Sequence, residues 1–130
     1  MRIVTLIPER FAPHLLGLLR IVLALLLLPH GTAKLFHVPH VEMFAKLQLM
    51  SLLGAAGVIE IVGGLLLLIG FQTRLVAFVL AGFMAFAYFL GHAAQGLLPL
   101  LNKGELAVVY CFVFLYLSAA GPGKFAIDRG

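Results

Sequence analysis

The 130-residue chain is 63 % hydrophobic and 11 % charged, whereas soluble domains average about 45–50 % apolar and about 25 % charged. That length suits one domain spanning residues 1–130, with no room for a helical bundle plus a soluble enzyme. The net charge of +4 rests on basic residues spread singly between apolar runs, which argues against a nucleic-acid patch and reads as membrane topology.

Residues 1–13 are mixed, with Arg2, Pro8, Glu9, Arg10 and Pro13, and read as a flexible or interfacial tail. The first apolar run covers 14–36. A cleavable signal peptide is its rival, with Ile21 to Leu28 as apolar region and Gly31-Thr32-Ala33 as cleavage site. Against that, about twenty residues precede the run and Leu15 to Leu19 are apolar too, so a retained span is expected. Pro29 is expected to kink it, because proline removes a backbone donor. Residues 37–50 change character. Val41, Phe44 and Ala45 follow helical spacing while Glu42 and Lys46 occupy another face, as in a short amphipathic helix at a membrane surface.

The central run, 51–70, is SLLGAAGVIEIVGGLLLLIG. As a helix it measures roughly 30 Å, about a bilayer's hydrocarbon thickness. Its one ionisable residue is Glu60, with Gly57 and Gly64 on the same helical face. A carboxylate there requires a bundle interior around it, and glycines let a neighbouring backbone approach. After a turn at 71–74 a third span covers 74–92. A connection broken by Gly96 and Pro99 leads to a fourth span, 104–120, which Gly121-Pro122-Gly123 ends. The expected fold is therefore all-α, a four-helix transmembrane bundle with a short amphipathic helix between spans one and two. Short connections make spans two and three, and also three and four, antiparallel neighbours.

An even number of spans puts both termini on one side with Arg2, Arg10, Arg20, Arg74, Lys124 and Arg129. Lys34, Lys46 and Lys103 fall on the other side, so the positive-inside rule places both termini in the cytoplasm. This topology gathers the rare polar residues in the outer half: His30 and Lys34 on span one, Tyr88 and His92 on span three, Glu105 at the start of span four. Glu60 lies deeper, roughly 14 Å in from Ser51.

These residues carry a resemblance to the DoxX family of small four-span bacterial and archaeal membrane proteins. It rests on Pro29-His30-Gly31-Thr32-Ala33-Lys34-Leu35-Phe36, and on Ile59-Glu60-Ile61-Val62-Gly63-Gly64 leading to Gly70-Phe71-Gln72-Thr73-Arg74. It continues in His92, in Asn102-Lys103-Gly104-Glu105-Leu106, and in the ending from Gly121 to Asp128, where Ala126 replaces a frequent serine. The resemblance implies a multi-pass protein of the cytoplasmic (inner) membrane. It further implies a subunit of a quinone-linked complex for sulfur or thiol oxidation or oxidative stress, with soluble or membrane redox proteins as partners.

Physical chemistry separates the roles open to such a chain. His30 and His92 are offset by about 9 Å along the bundle, which is awkward for one haem plane, and Cys111 is the only cysteine. No intrinsic haem or metal is expected. Ser51 and Ser118 lie in no nucleophile pattern. A quinone or other amphiphile needs only an apolar cavity with a few placed polar groups. Glu60, His30, Lys34, Tyr88, His92 and Glu105 are the candidates to bind it or to relay its protons. Beside this stand plainer readings: Glu60 paired structurally with Lys34 or His30, Lys34 reaching for headgroups, and Tyr88, His92 and Glu105 as interfacial residues. Two further roles remain in view. One is a carrier of a small amphiphile; the other is a scaffold that docks a soluble redox protein without a ligand of its own. Membrane lipids are expected partners, and a homo-oligomer is open.

Overall fold

The computed structural model describes residues 3–44, 50–93 and 96–129. Among them the regular structure is helical: α1 Ala12–Phe36, α2 Leu52–Ile69, α3 Thr73–Gly91, the single turn α4 Pro99–Asn102, and α5 Glu105–Ala120. α1 (continued from a short turn at its start), α2 and α3 are long and apolar enough to cross a membrane, while the apolar α5 has 16 residues, roughly 24 Å. The chain is thus an all-helical membrane bundle, its helices close to the expected apolar runs.

Local chemistry sets the helix ends. Ser51 caps α2, its hydroxyl accepting from the Gly54 N–H at 3.1 Å. At the other end Gly70 takes a left-handed φ of 71°; its N–H donates to Leu67 and the Phe71 N–H to Leu66. This reversal satisfies carbonyls that the helix cannot, and it favours glycine because a Cβ is penalised there. α1 runs on through Pro29, which supplies no N–H to the carbonyl one turn back, and stops where His37 turns left-handed. The expected amphipathic helix is interrupted at its start. Residues 37–41 are not helical, Glu42–Phe44 make one 3-10 turn, and 45–49 lie outside the described residues.

Two helix pairs pack tightly, α1 along α2 and α3 along α5; α2 meets α3 over a smaller seam. Glycine makes the first pair close. A Cβ on Gly31 would strike Ile61 and the Gly57 carbonyl, one on Gly57 would strike Leu35, and one on Gly64 would strike Leu28. The core runs through Leu23 and Leu27 of α1, Leu67 of α2, Leu80 and Met84 of α3, and Tyr110, Phe114 and Leu117 of α5.

Residues 121–129 fold back across the end where α1 and α3 begin and α2 and α5 finish. Lys124 N–H donates to Pro13, Ile127 N–H to Ile69 and Asp128 N–H to Gly70. Arg20, fully buried, holds this tail in place. Its guanidinium donates to the carbonyls of Leu67 and Leu68 at the end of α2 and to Pro122, Lys124 and Phe125 of the tail. Arg74 donates to Ser118, Ala119 and Ala120 at the end of α5. Both cations therefore meet the negative ends of helix dipoles.

Candidate functional site

The polar residues singled out in the sequence lie away from the tail, from the middle of the bundle to its distal end. Glu60 is 2 % exposed, on the α2 face that also carries Gly57 and Gly64, and it turns toward α1. There Lys34 Nζ donates to Glu60 Oε1, with side-chain exposures of 11 % and 3 %. Charges this far from water are tolerated only when paired, so each residue compensates the other. Lys34 therefore points inward rather than reaching for headgroups. Its ammonium also lies 5.5 Å from the centre of the Phe44 ring, within the range of a cation–π contact.

A second network closes the distal end of α3. Asn102, fully buried in α4, donates to the Tyr88 hydroxyl at 3.0 Å and to the Gly96 carbonyl at 2.7 Å, and its Oδ1 accepts from Gly104 N–H at 2.8 Å. The Tyr88 hydroxyl donates in turn to Leu97 O at 2.9 Å. Tyr88 needs Gly104 beside it, since a Cβ there would meet its ring. His92 Nδ1 lies 3.0 Å from the Asn102 carbonyl. A carbonyl only accepts, so Nδ1 carries the proton and Nε2 of the neutral ring is left as an acceptor. The Tyr88 and His92 rings stack with centroids 6.3 Å apart.

Between these groups, at the loose α2–α3 seam, lies a cavity of 680 Å³. Leu52, Leu53, Ala56 and Ile59 of α2 form one wall, and Phe83, Phe86, Ala87 and Leu90 of α3 form the other. Phe44 borders it, and Lys34, His92, Asn102 and Lys103 supply its polar groups. It is a largely apolar cleft with its polarity confined to a few residues, the usual form of a site for a small amphiphile.

The structure divides the six residues singled out in the sequence. Lys34 and Glu60 are brought together, Lys34 and His92 border the same cavity, and Tyr88 secures its distal end through Asn102. His30 and Glu105 are not part of this arrangement: both are exposed and neither lines the cavity. Helical geometry explains why. His30 precedes the inward Gly31 by one residue, a rotation of about 100°, and Glu105 is about 140° round α5 from the inward Tyr110. Asn102 was missed because an amide in a loop-like stretch carries no signal of burial. Arg20 carried one, an ionisable residue within an apolar run, but was counted only as topology.

The DoxX family model matches residues 15–93, which include Arg20, Lys34, Glu60, Tyr88 and His92. An uncharacterized protein of Haemophilus influenzae is 44 % identical over 126 residues, covering 93 % of each chain. The inner membrane protein YqjF of Escherichia coli is 36 % identical over 91 residues, covering 63 % of this chain and 68 % of that protein. No solved structure matches the chain. With the family model spanning more than half of its length, this chain belongs to the DoxX family.

Proposed function

We propose that this protein binds a quinone in the cleft between α2 and α3, as the membrane subunit of a quinone-linked redox complex acting in sulfur or thiol oxidation or in oxidative stress. The observation that carries the reading is the cleft itself, with hydrocarbon walls and a few polar groups from Lys34, His92 and Asn102. An isoprenoid tail would lie against Leu53, Ile59, Phe83 and Phe86 while the ring oxygens meet the polar groups. A quinol that gives two electrons to a redox partner must shed two protons. The free Nε2 of His92 is suited to accept one, and the Lys34–Glu60 pair beneath offers a further station. The electrons pass to a partner protein, which this chain docks at the bilayer.

The chain lies in the inner membrane in this reading, with four crossings and both termini in the cytoplasm. Arg10, Lys124 and Arg129 are exposed at the terminal end, against exposed Lys103 at the distal end. The E. coli relative is named as an inner membrane protein, which supports the inner-membrane placement. A carrier role is less favoured, because the folded-back tail covers the terminal end of the bundle.

The test is titration of a decyl-tailed benzoquinone into purified protein in lipid nanodiscs, followed by calorimetry. Saturable binding is expected, weakened about tenfold or more by His92→Ala and by Ala56→Trp, which fills the cleft. Equal affinity in the wild type and both variants would end the proposal.

A further inference from the structure

We propose that Glu60 sets the charge specificity of the cleft: by neutralising Lys34 it restricts the site to amphiphiles with a neutral, hydrogen-bond-accepting headgroup and excludes anionic ones. This rests on the reading of the cleft as an amphiphile site, and it assigns a role to a residue that does not itself line the cavity.

Lys34 borders the cavity, whereas Glu60 lies behind it. An ammonium has three N–H donors and no acceptor. One is given to Glu60 Oε1, and no other hydrogen bond from Lys34 joins two described residues. Lys34 thus offers donors to the cleft while its charge is already balanced by a carboxylate that is 3 % exposed. Further π density comes from Phe44. The other groups at the polar end are neutral when His92 has its Nδ1 proton and a free Nε2, and Asn102 carries no charge. Lys103 is exposed, where solvent and salt screen it. A ligand anion seated beside Lys34, away from solvent-screened Lys103, would lose its hydration without gaining an unpaired cation, and that exchange is unfavourable in a low-dielectric site. A carbonyl or ether oxygen makes no such demand.

Glu60→Gln removes the balancing charge and keeps the shape. Lys34 then becomes an uncompensated cation facing the cleft, and the same space becomes attractive to a carboxylate or sulfate headgroup. The electrostatics predict a reversal of selectivity from this one substitution.

The experiment compares a decyl-tailed benzoquinone with decanoate in nanodiscs of neutral lipid, with protein-free nanodiscs of the same lipid as the blank for partitioning. In the wild type the quinone binds at least about tenfold more tightly than decanoate. Glu60→Gln gains about tenfold or more in decanoate affinity, and the double variant Lys34→Met/Glu60→Gln loses that gain. Wild-type protein that binds both amphiphiles equally overturns the inference while leaving the cleft as a quinone site. So does a Glu60→Gln protein that still binds quinone but gains nothing for decanoate. If the wild type binds no quinone, the proposed function and the inference fall together. The wild-type comparison needs no variant to fold.

Discussion

At the scale of single residues, one guanidinium and one carboxylate carry much of the bundle's terminal end. Arg20 donates to the carbonyls of Leu67 and Leu68 in α2 and of Pro122, Lys124 and Phe125 in the returning tail, and of these Leu67 also accepts from Gly70 N–H. Arg20→Met should cost about 3 kcal/mol or more, since it strands several buried acceptors at once. A fall in the melting temperature of detergent-solubilised protein would register it. Arg20→Lys should recover only part of the loss, because an ammonium cannot spread over carbonyls on both sides. Asp128 acts from the tail on α3: its carboxylate accepts from Gln72 N–H at 2.9 Å and Thr73 N–H at 2.7 Å. Burial pushes this acid upward, but the Thr73 and Gln72 N–H groups and nearby Arg20 outweigh it and hold Asp128 below the usual carboxylate range. A lowered folded value means stability that is present above the unfolded value of about 4 and is lost as pH falls through the folded one. Acid melts should therefore show a destabilising limb below about pH 4 that is weaker in Asp128→Asn. At neutral pH that variant should lose about 0.5–2 kcal/mol, the worth of a helix cap. If the acid limb is unchanged in the variant, Asp128 is not its source.

At the scale of helices, periodicity and turn chemistry made much of the architecture readable. The 51–70 run announced its own length, and the face shared by Gly57, Glu60 and Gly64 is the one that meets α1. The same reasoning found Lys34, Tyr88 and His92 but also gathered His30 and Glu105, which face away. Their spacing fixes an angle relative to a neighbour on the same helix; it does not say which angle points inward until the partner helix is known. Asn102 and Asp128 were illegible for a different reason, since each acts through contacts with backbone far away in sequence or in a turn whose shape no pattern announces. Glycine offers a direct test at this scale. A Cβ on Gly17 would collide with the backbone of Lys124, which has no rotamer by which to yield. Gly17→Ala should therefore loosen the tail, costing about 1–3 kcal/mol and hastening proteolysis within 121–129. Gly82→Ala, whose Cβ would meet nothing, should be close to neutral. Equal cleavage rates in the two variants would refute the assignment.

At the scale of the whole molecule, α1 with α2 and α3 with α5 act as two leaves joined along a lighter seam. The tail binds the leaves at one edge, through Ile69, Gly70, Gln72 and Thr73. A book bound at its spine opens at the fore-edge. The cleft runs along that fore-edge, so under the proposed function a hydrophobic guest would enter it sideways from the bilayer without crossing water. Amide hydrogen exchange should then be faster in the distal turns of α2 and α3 than in their turns beside the tail, and quinone should slow it there. Removing the binding by truncation before Gly121 should erase the gradient, leaving two loose leaves with no preferred direction of parting.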